Sequence, residues 1–408
     1  MNFPKNAFAL FLMFSGLFSM TMNAQNVSPK NEDNSFREAY KKFKPLYERE
    51  LKQAGIAGGS FVFLKNGEIP AKEFYGSANL EKNQPVDENT IYHWASNTKP
   101  FTGIAIMQLR DRGLLKLDDA AIKYLPELKS VHNPFGDMQD ITIRQLLNHS
   151  AGFRNSTFPY KNGKDWQPFE PTEYEQVKAM LPFTEILFKP GSRYSYSNLG
   201  IVFLGQIIER LTGDDYEVYV DKNILKPLEM YRSYFDATPY HLLKYRSHSY
   251  YIENGKRTTG RFDADSGITV SNSGLNSPLP DMIKYLSFLT GSDAGKKEIY
   301  DGILKRSSLE EMFQPTLSAP LDANGNRGFS TGIGLIFFLD KGSGGETYLG
   351  HGGDQNGFIS YIEFNLKKGT ASILVFNTNI ILPENTPPEK DTVGKLRKAV
   401  RALHESAR

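Results

Sequence analysis

The chain has 408 residues, 39% hydrophobic and 12% aromatic, which suits a globular protein with a substantial core. Its 48 basic and 46 acidic residues leave a formal charge of +2, and that balance gives no signal for nucleic acid or an anionic membrane surface. There is no cysteine, which excludes disulfides, cysteine nucleophiles, thiolate metal sites and a lipid anchor on an N-terminal cysteine.

In chain order, MNFPKNAFALFLMFSGLFSMTMNAQ places Lys5 before an apolar run from Ala7 to about Met22. This predicts a secretory leader over residues 1–24, cut after Ala24, and a secreted or periplasmic product with no stable membrane insertion after cleavage. Residues 25–34 read as a polar leader and 35–408 as one domain. FREAYKKFKPLYERELKQAGI predicts a helix interrupted at Pro45. Two β-rich runs then flank Asn66-Gly67, a strong hairpin signal. FTGIAIMQLRDRG sets Phe101, Ile104, Ala105 and Leu109 on one helix face, with Gly113 as its stop. TIRQLLNHSAG offers Thr142 as a cap and Gln145 as its capping-box partner.

The loop RNSTFPYKNGKDWQPFEPTEYEQ carries Phe158, Tyr160, Trp166 and Phe169, either a cleft wall or pins for a long surface loop. LGIVFLGQIIERLTG predicts a buried helix closed by Gly213. SYYIENGKRTTGRF predicts a hairpin turning at Asn254-Gly255, and GLNSPLPDMIKYLSFLTG contains another helix. TGIGLIFFLD, GFISYIEFN and ASILVFNTN read as strands, and a last helix covers roughly residues 391–406. Strands at both ends with helices between them predict an α/β (α+β) fold: one sheet built from the two chain ends, with a helical insertion.

Three short segments carry chemistry. In HWASNTKPFTG, Pro100 is tolerable only in the first turn of the helix it enters, so that helix starts near residues 96–99. Ser96 then either caps the helix or serves as a nucleophile, with Lys99 on the same face as its proton acceptor if burial lowers the lysine pKa. In KPGSRYSYSNLG, Tyr196 and Asn198 stand before the buried helix, where the asparagine fits equally well as a cap. In YLGHGGDQNGF, His351-Gly352-Gly353 precedes a strand, a plain glycine turn or a place of close backbone approach to a ligand.

Taken together, SNTK, YSN and HGG in that order resemble the serine β-lactamase and penicillin-binding-protein superfamily, nearest to class C β-lactamases, D-alanyl-D-alanine carboxypeptidases and related esterases. LLNHSAGF, ILKPLEM and GHGG…GF strengthen the resemblance, which covers roughly residues 35–400. It implies an antiparallel sheet flanked by helices, with a helical subdomain and the site between them. It also implies Ser96 as the acylated nucleophile, Lys99 as its proton acceptor and Tyr196 as a proton relay to the leaving group and the deacylating water. Asn198 would orient Lys99 and the substrate amide, His351 and Gly353 would bind substrate, and the backbone N–H groups of Ser96 and Asp354 would form the oxyanion hole. No cofactor and no metal are implied, and the partner is a small-molecule or peptide substrate. The oligomeric state is not legible in the sequence.

One departure bears on specificity. Class C β-lactamases carry lysine where this chain has His351, so a fixed cation for a substrate carboxylate is missing, which predicts poor β-lactam turnover beside uncharged esters or amides. A free histidine titrates near pH 6.5, so a carboxylate substrate is expected to bind better as pH drops from about 7.5 to 5.5. GFSTG at 328–332 matches a nucleophile elbow, yet strand-like sequence follows where that elbow needs a helix, so Ser330 is a decoy. Seven histidines without His-Glu-x-x-His spacing give no metal signature. Two readings follow: an exported serine hydrolase of the carboxypeptidase or esterase type acting on peptides, amides or esters, with a class C-like β-lactamase as its alternative, or a silent binding protein on the same fold.

Overall fold

The protein is described here by a computed structural model covering residues 34–157, 160–161, 164–165, 171–263, 266–318, 331–383, 387 and 390–407. The predicted leader, Phe158, Trp166, Phe169, the side chain of Tyr160 and Ser330 lie outside the described residues.

The two chain ends meet in one nine-stranded antiparallel sheet. Its order is Leu317–Ser318, Gly332–Ile333, Phe338–Lys341, Thr347–Gln355, Phe358–Asn365, Thr370–Phe376, Gly58–Lys65, Glu68–Asn79, Gln84–Pro85. Residues on a strand alternate faces. In the Gly58–Lys65 strand, Phe61 and Phe63 therefore pack with Phe43, Tyr47 and Leu51 of the first helix and Leu396, Val400 and Leu403 of the last. Val62 and Leu64 turn the other way, into the larger core that holds Phe101, Ile104 and the helical layer. Burying each such side chain contributes about 1.5–3 kcal/mol, and a slip of one residue would exchange the two faces, so the register is firmly set.

The Asn66-Gly67 and Asn254-Gly255 turns form as predicted, with positive φ at both residues of each pair. A third such pair, Asn356-Gly357 (φ 51° and 80°), joins Thr347–Gln355 to Phe358–Asn365. Thr142 caps Ile143–Leu147 with Gln145 closing the box, and Gly213 (φ 75°) ends Asn198–Thr212.

Three expectations need correction. The first helix runs unbroken over Asn34–Ala54 with Pro45 inside it. Pro45 lies on the exposed side, where water can serve the carbonyl that loses its partner, while Phe43, Tyr47 and Leu51 anchor the buried side. The TGIGLIFFLD strand is two short strands, Gly332–Ile333 and Phe338–Lys341, paired with each other around a tight turn in which Ile336 has φ 71°. The turn is tied down by Leu335 N–H to Met312 O and Ile336 N–H to Leu147 O, both 2.9 Å. ASILVFNTN divides as well: Thr370–Phe376 stays in the large sheet, and Thr378–Ile381 pairs in parallel with Tyr250–Glu253.

The Lys99–Asp111 helix lies between the sheet and the helical layer. Every residue from Lys99 to Leu109 is buried, as befits a helix with core on all sides. No described helix is long and apolar enough to cross a membrane.

Candidate active site

Ser96 is set by a short strand, a strained residue and a tight turn. Ile91–His93 pairs with Leu275–Pro278, and buried Trp94 donates from Nε1 to Ser277 O at 2.9 Å. Ala95 follows with φ 48°, a left-handed conformation an alanine adopts only when its surroundings impose it. One 3₁₀ turn, Ala95–Thr98, then runs into the helix at Lys99, with Pro100 in the first helical turn. No side chain caps either helix start. The Ser96 hydroxyl instead accepts from Lys99 Nζ at 2.8 Å.

Lys99 is fully buried, and its Nζ also donates to Asn272 O at 2.8 Å and lies 5.0 Å from the centre of the Tyr196 ring. Both bonded partners are uncharged. Burial alone drives its pKa well below the usual 10.5, so at neutral pH the amine is biased toward the form that can accept a proton. Burial also pushes the Tyr196 phenol well up, a rise that neighbouring Ser96 partly offsets.

Asn198 is the first residue of its helix, and the cap is Ser197, whose hydroxyl accepts from Gly200 N at 2.9 Å. The Asn198 amide donates to Asn155 Oδ1 at 3.0 Å, and its own oxygen is buried without a partner.

Gly353 lies on the strand that backs this turn, opposite Ser360. A Cβ on Gly353 would meet the Trp94 carbonyl at 2.2 Å. Gly353→Ala should therefore push the strand off the nucleophile turn, cost about 1–3 kcal/mol and lower activity, measured by thermal unfolding and turnover. Unchanged melting and activity would refute the close fit. Asp354 follows Gly353 beside the same turn, and its carboxylate accepts from Asn379 Nδ2.

His351 is buried, and its Nδ1 donates to Gly352 O at 2.7 Å. Burial is the main cause that lowers its pKa to about 3. This corrects the pH expectation: the ring is neutral from pH 7.5 to 5.5. KM for a carboxylate-bearing substrate should stay flat across that interval, and a fall of several-fold would show that His351 takes up a proton there.

Three further residues line the site. His149 (φ 56°) packs against Tyr196 with ring centres 4.4 Å apart and planes tilted by 34°. Phe338 lies 5.2 Å from His351 and 6.0 Å from Tyr194. All three lie in quoted segments, His149 in LLNHSAGF, Tyr194 in KPGSRYSYSNLG and Phe338 in TGIGLIFFLD, but none was singled out as a site residue. Among the described residues no cluster of His, Asp and Glu could hold a metal ion.

A sequence profile described as Beta-lactamase matches residues 43–388. The chain belongs to the Beta-lactamase family. "Protein flp" of Staphylococcus aureus (strain COL) is 33% identical over 195 residues, covering 48% of this chain and 38% of that protein. The chain therefore matches well under two thirds of that relative's length. The octameric penicillin-binding protein homologue from Pyrococcus abyssi superposes with a TM-score of 0.70 at 26% identity, covering 88% of this chain and 77% of that one. A class C β-lactamase superposes equally well, TM-score 0.70, at 18% identity and over 93% and 98% of the two chains, a likeness of fold. The antiparallel sheet with its helical layer is thus the β-lactamase/transpeptidase-like fold, and the family is one of hydrolases.

Proposed function

We propose that this chain is an exported serine hydrolase that cleaves peptide, amide or ester bonds through an acyl-enzyme on Ser96. The observation that carries the reading is the 2.8 Å contact from Lys99 Nζ to Ser96 Oγ, made by a buried amine whose other bonded partner is a neutral carbonyl. The Ser96 oxygen would attack the substrate carbonyl carbon while its proton passes to Lys99. The oxyanion would settle on the N–H groups of Ser96 and Asp354. Tyr196 would protonate the leaving group as the old bond breaks. In the second step the Tyr196 oxygen would take a proton from the attacking water, and Lys99 would return its proton to Ser96 as the acid leaves. Export rests on the leader at 1–24 alone.

Among substrate types, the neutral His351 favours uncharged peptides, esters and amides over β-lactams, whose carboxylate would find no cation at that position. A silent binding protein is the weaker reading, because Ser96, Lys99 and Tyr196 are all present and adjoining. Treatment with a fluorophosphonate, followed by peptide mapping, should place one adduct on Ser96 and none in Ser96→Ala. An adduct on Ser330, or none at all, would overturn the proposal.

A further inference from the structure

Two imidazoles beside Tyr196 have partners on one nitrogen only. His149 Nδ1 accepts from the Ser197 backbone N–H at 3.2 Å. A backbone N–H can only donate, so Nδ1 is unprotonated and the neutral ring carries its proton on Nε2. His351 has the opposite arrangement. Its Nδ1 faces a carbonyl, which can only accept, so the proton is on Nδ1 and Nε2 offers a lone pair. Both Nε2 atoms are buried, and neither has a hydrogen-bond partner among the described residues. A buried polar atom without a partner costs about 1–3 kcal/mol, so such a pair points to something that completes it.

The two rings share one neighbourhood. Tyr196 lies 4.4 Å from His149 and 6.4 Å from His351, centre to centre. Lys99 acts electrostatically on both, and His351 acts on His149. Among the described residues two further rings adjoin the pair, Phe338 and Tyr194, and neither is a cation. Burial holds both imidazoles neutral. A carboxylate placed there would lose its hydration and face a lone pair. A carboxamide complements both atoms, with an N–H to donate to His351 Nε2 and an oxygen to accept from His149 Nε2–H.

We propose that His149 and His351 form a neutral donor-and-acceptor subsite beside Tyr196 that takes a carboxamide on the leaving side of the substrate. The proposal rests on the acyl-enzyme reading, since Tyr196 marks the leaving side only if it protonates the leaving group. The test uses two esters of one acyl group, one ending in lactamide and one in lactate, which differ only in whether the leaving part ends in a neutral carboxamide or a carboxylate. At pH 7.5, kcat/KM for the lactamide ester should exceed that for the lactate ester at least tenfold. His351→Lys should shift the ratio at least tenfold toward lactate, and His149→Phe should erode the lactamide advantage. If either variant fails to fold, the wild-type ratio decides. If neither ester turns over, the same pair competes against fluorophosphonate labelling, and lactamide must protect better. Equal or reversed preference in the wild type, with Ser96 still labelled, would overturn the subsite and leave the hydrolase standing. Loss of Ser96 labelling would strike the acyl-enzyme reading instead.

Discussion

Replacing Lys99 with methionine should lower turnover by about a hundredfold or more while raising stability, a combination that a merely structural lysine would not give. Methionine fills nearly the same volume with apolar atoms. It removes an amine that is buried with only a hydroxyl and a carbonyl for bonded partners. In the folded state the lysine pKa lies well below 10.5, and in the unfolded chain it returns to that value. Between those two pKa values the unfolded state binds a proton that the folded state does not. Stability therefore rises with pH through that window, by about 1.4 kcal/mol per pH unit for one proton, and falls as pH drops toward the lowered pKa. Lys99→Met should flatten this slope, as read from denaturant unfolding at several pH values on the alkaline side of neutrality. Activity of the wild type should fall over the acid side of the same window as the amine takes up its proton. Full activity in Lys99→Met would mean that another base serves Ser96. An unchanged slope would mean that the lysine is not held neutral.

How far the site could be read from sequence depended on whether its signal was local. Ser96 and Lys99 were legible because Pro100 fixes where the helix can start, and three residues then separate neighbours on one face. The Asn66-Gly67 turn was legible for the same local reason. Asn356-Gly357 carried an identical signal inside the segment quoted for His351, and it pins the strand that bears His351 and Gly353. The Asn272 carbonyl had no signature, because a backbone atom is brought to Lys99 by the fold alone. Ile336 misled the strand reading, since a β-branched residue at φ 71° runs against its own propensity and is held by bonds to Leu147 and to the neighbourhood of Met312. The ionisation of His351 was misjudged because a free-histidine pKa was applied to a ring that the fold buries.

Tyr196→Phe should also cost about a hundredfold or more in turnover of amides, yet leave fluorophosphonate labelling of Ser96 near the wild-type rate. The two candidate proton carriers in the site are pushed in opposite directions. Burial lowers Lys99 and raises Tyr196, so the amine is biased toward accepting a proton and the phenol toward giving one. A tyrosinate acting as the base for Ser96 would need that raised phenol to ionise first. The division of roles that follows is Lys99 for attack and Tyr196 for departure. A fluoride leaving group needs no proton, so labelling depends on the attack step alone, whereas an amide nitrogen leaves only when protonated. Lys99→Met should lose both labelling and amide turnover, and Tyr196→Phe should lose amide turnover only. Comparing the labelling rate with amide kcat/KM in both variants separates the steps. If Tyr196→Phe loses labelling as completely as Lys99→Met does, the phenol takes part in the attack and the assignment of Lys99 as sole base falls.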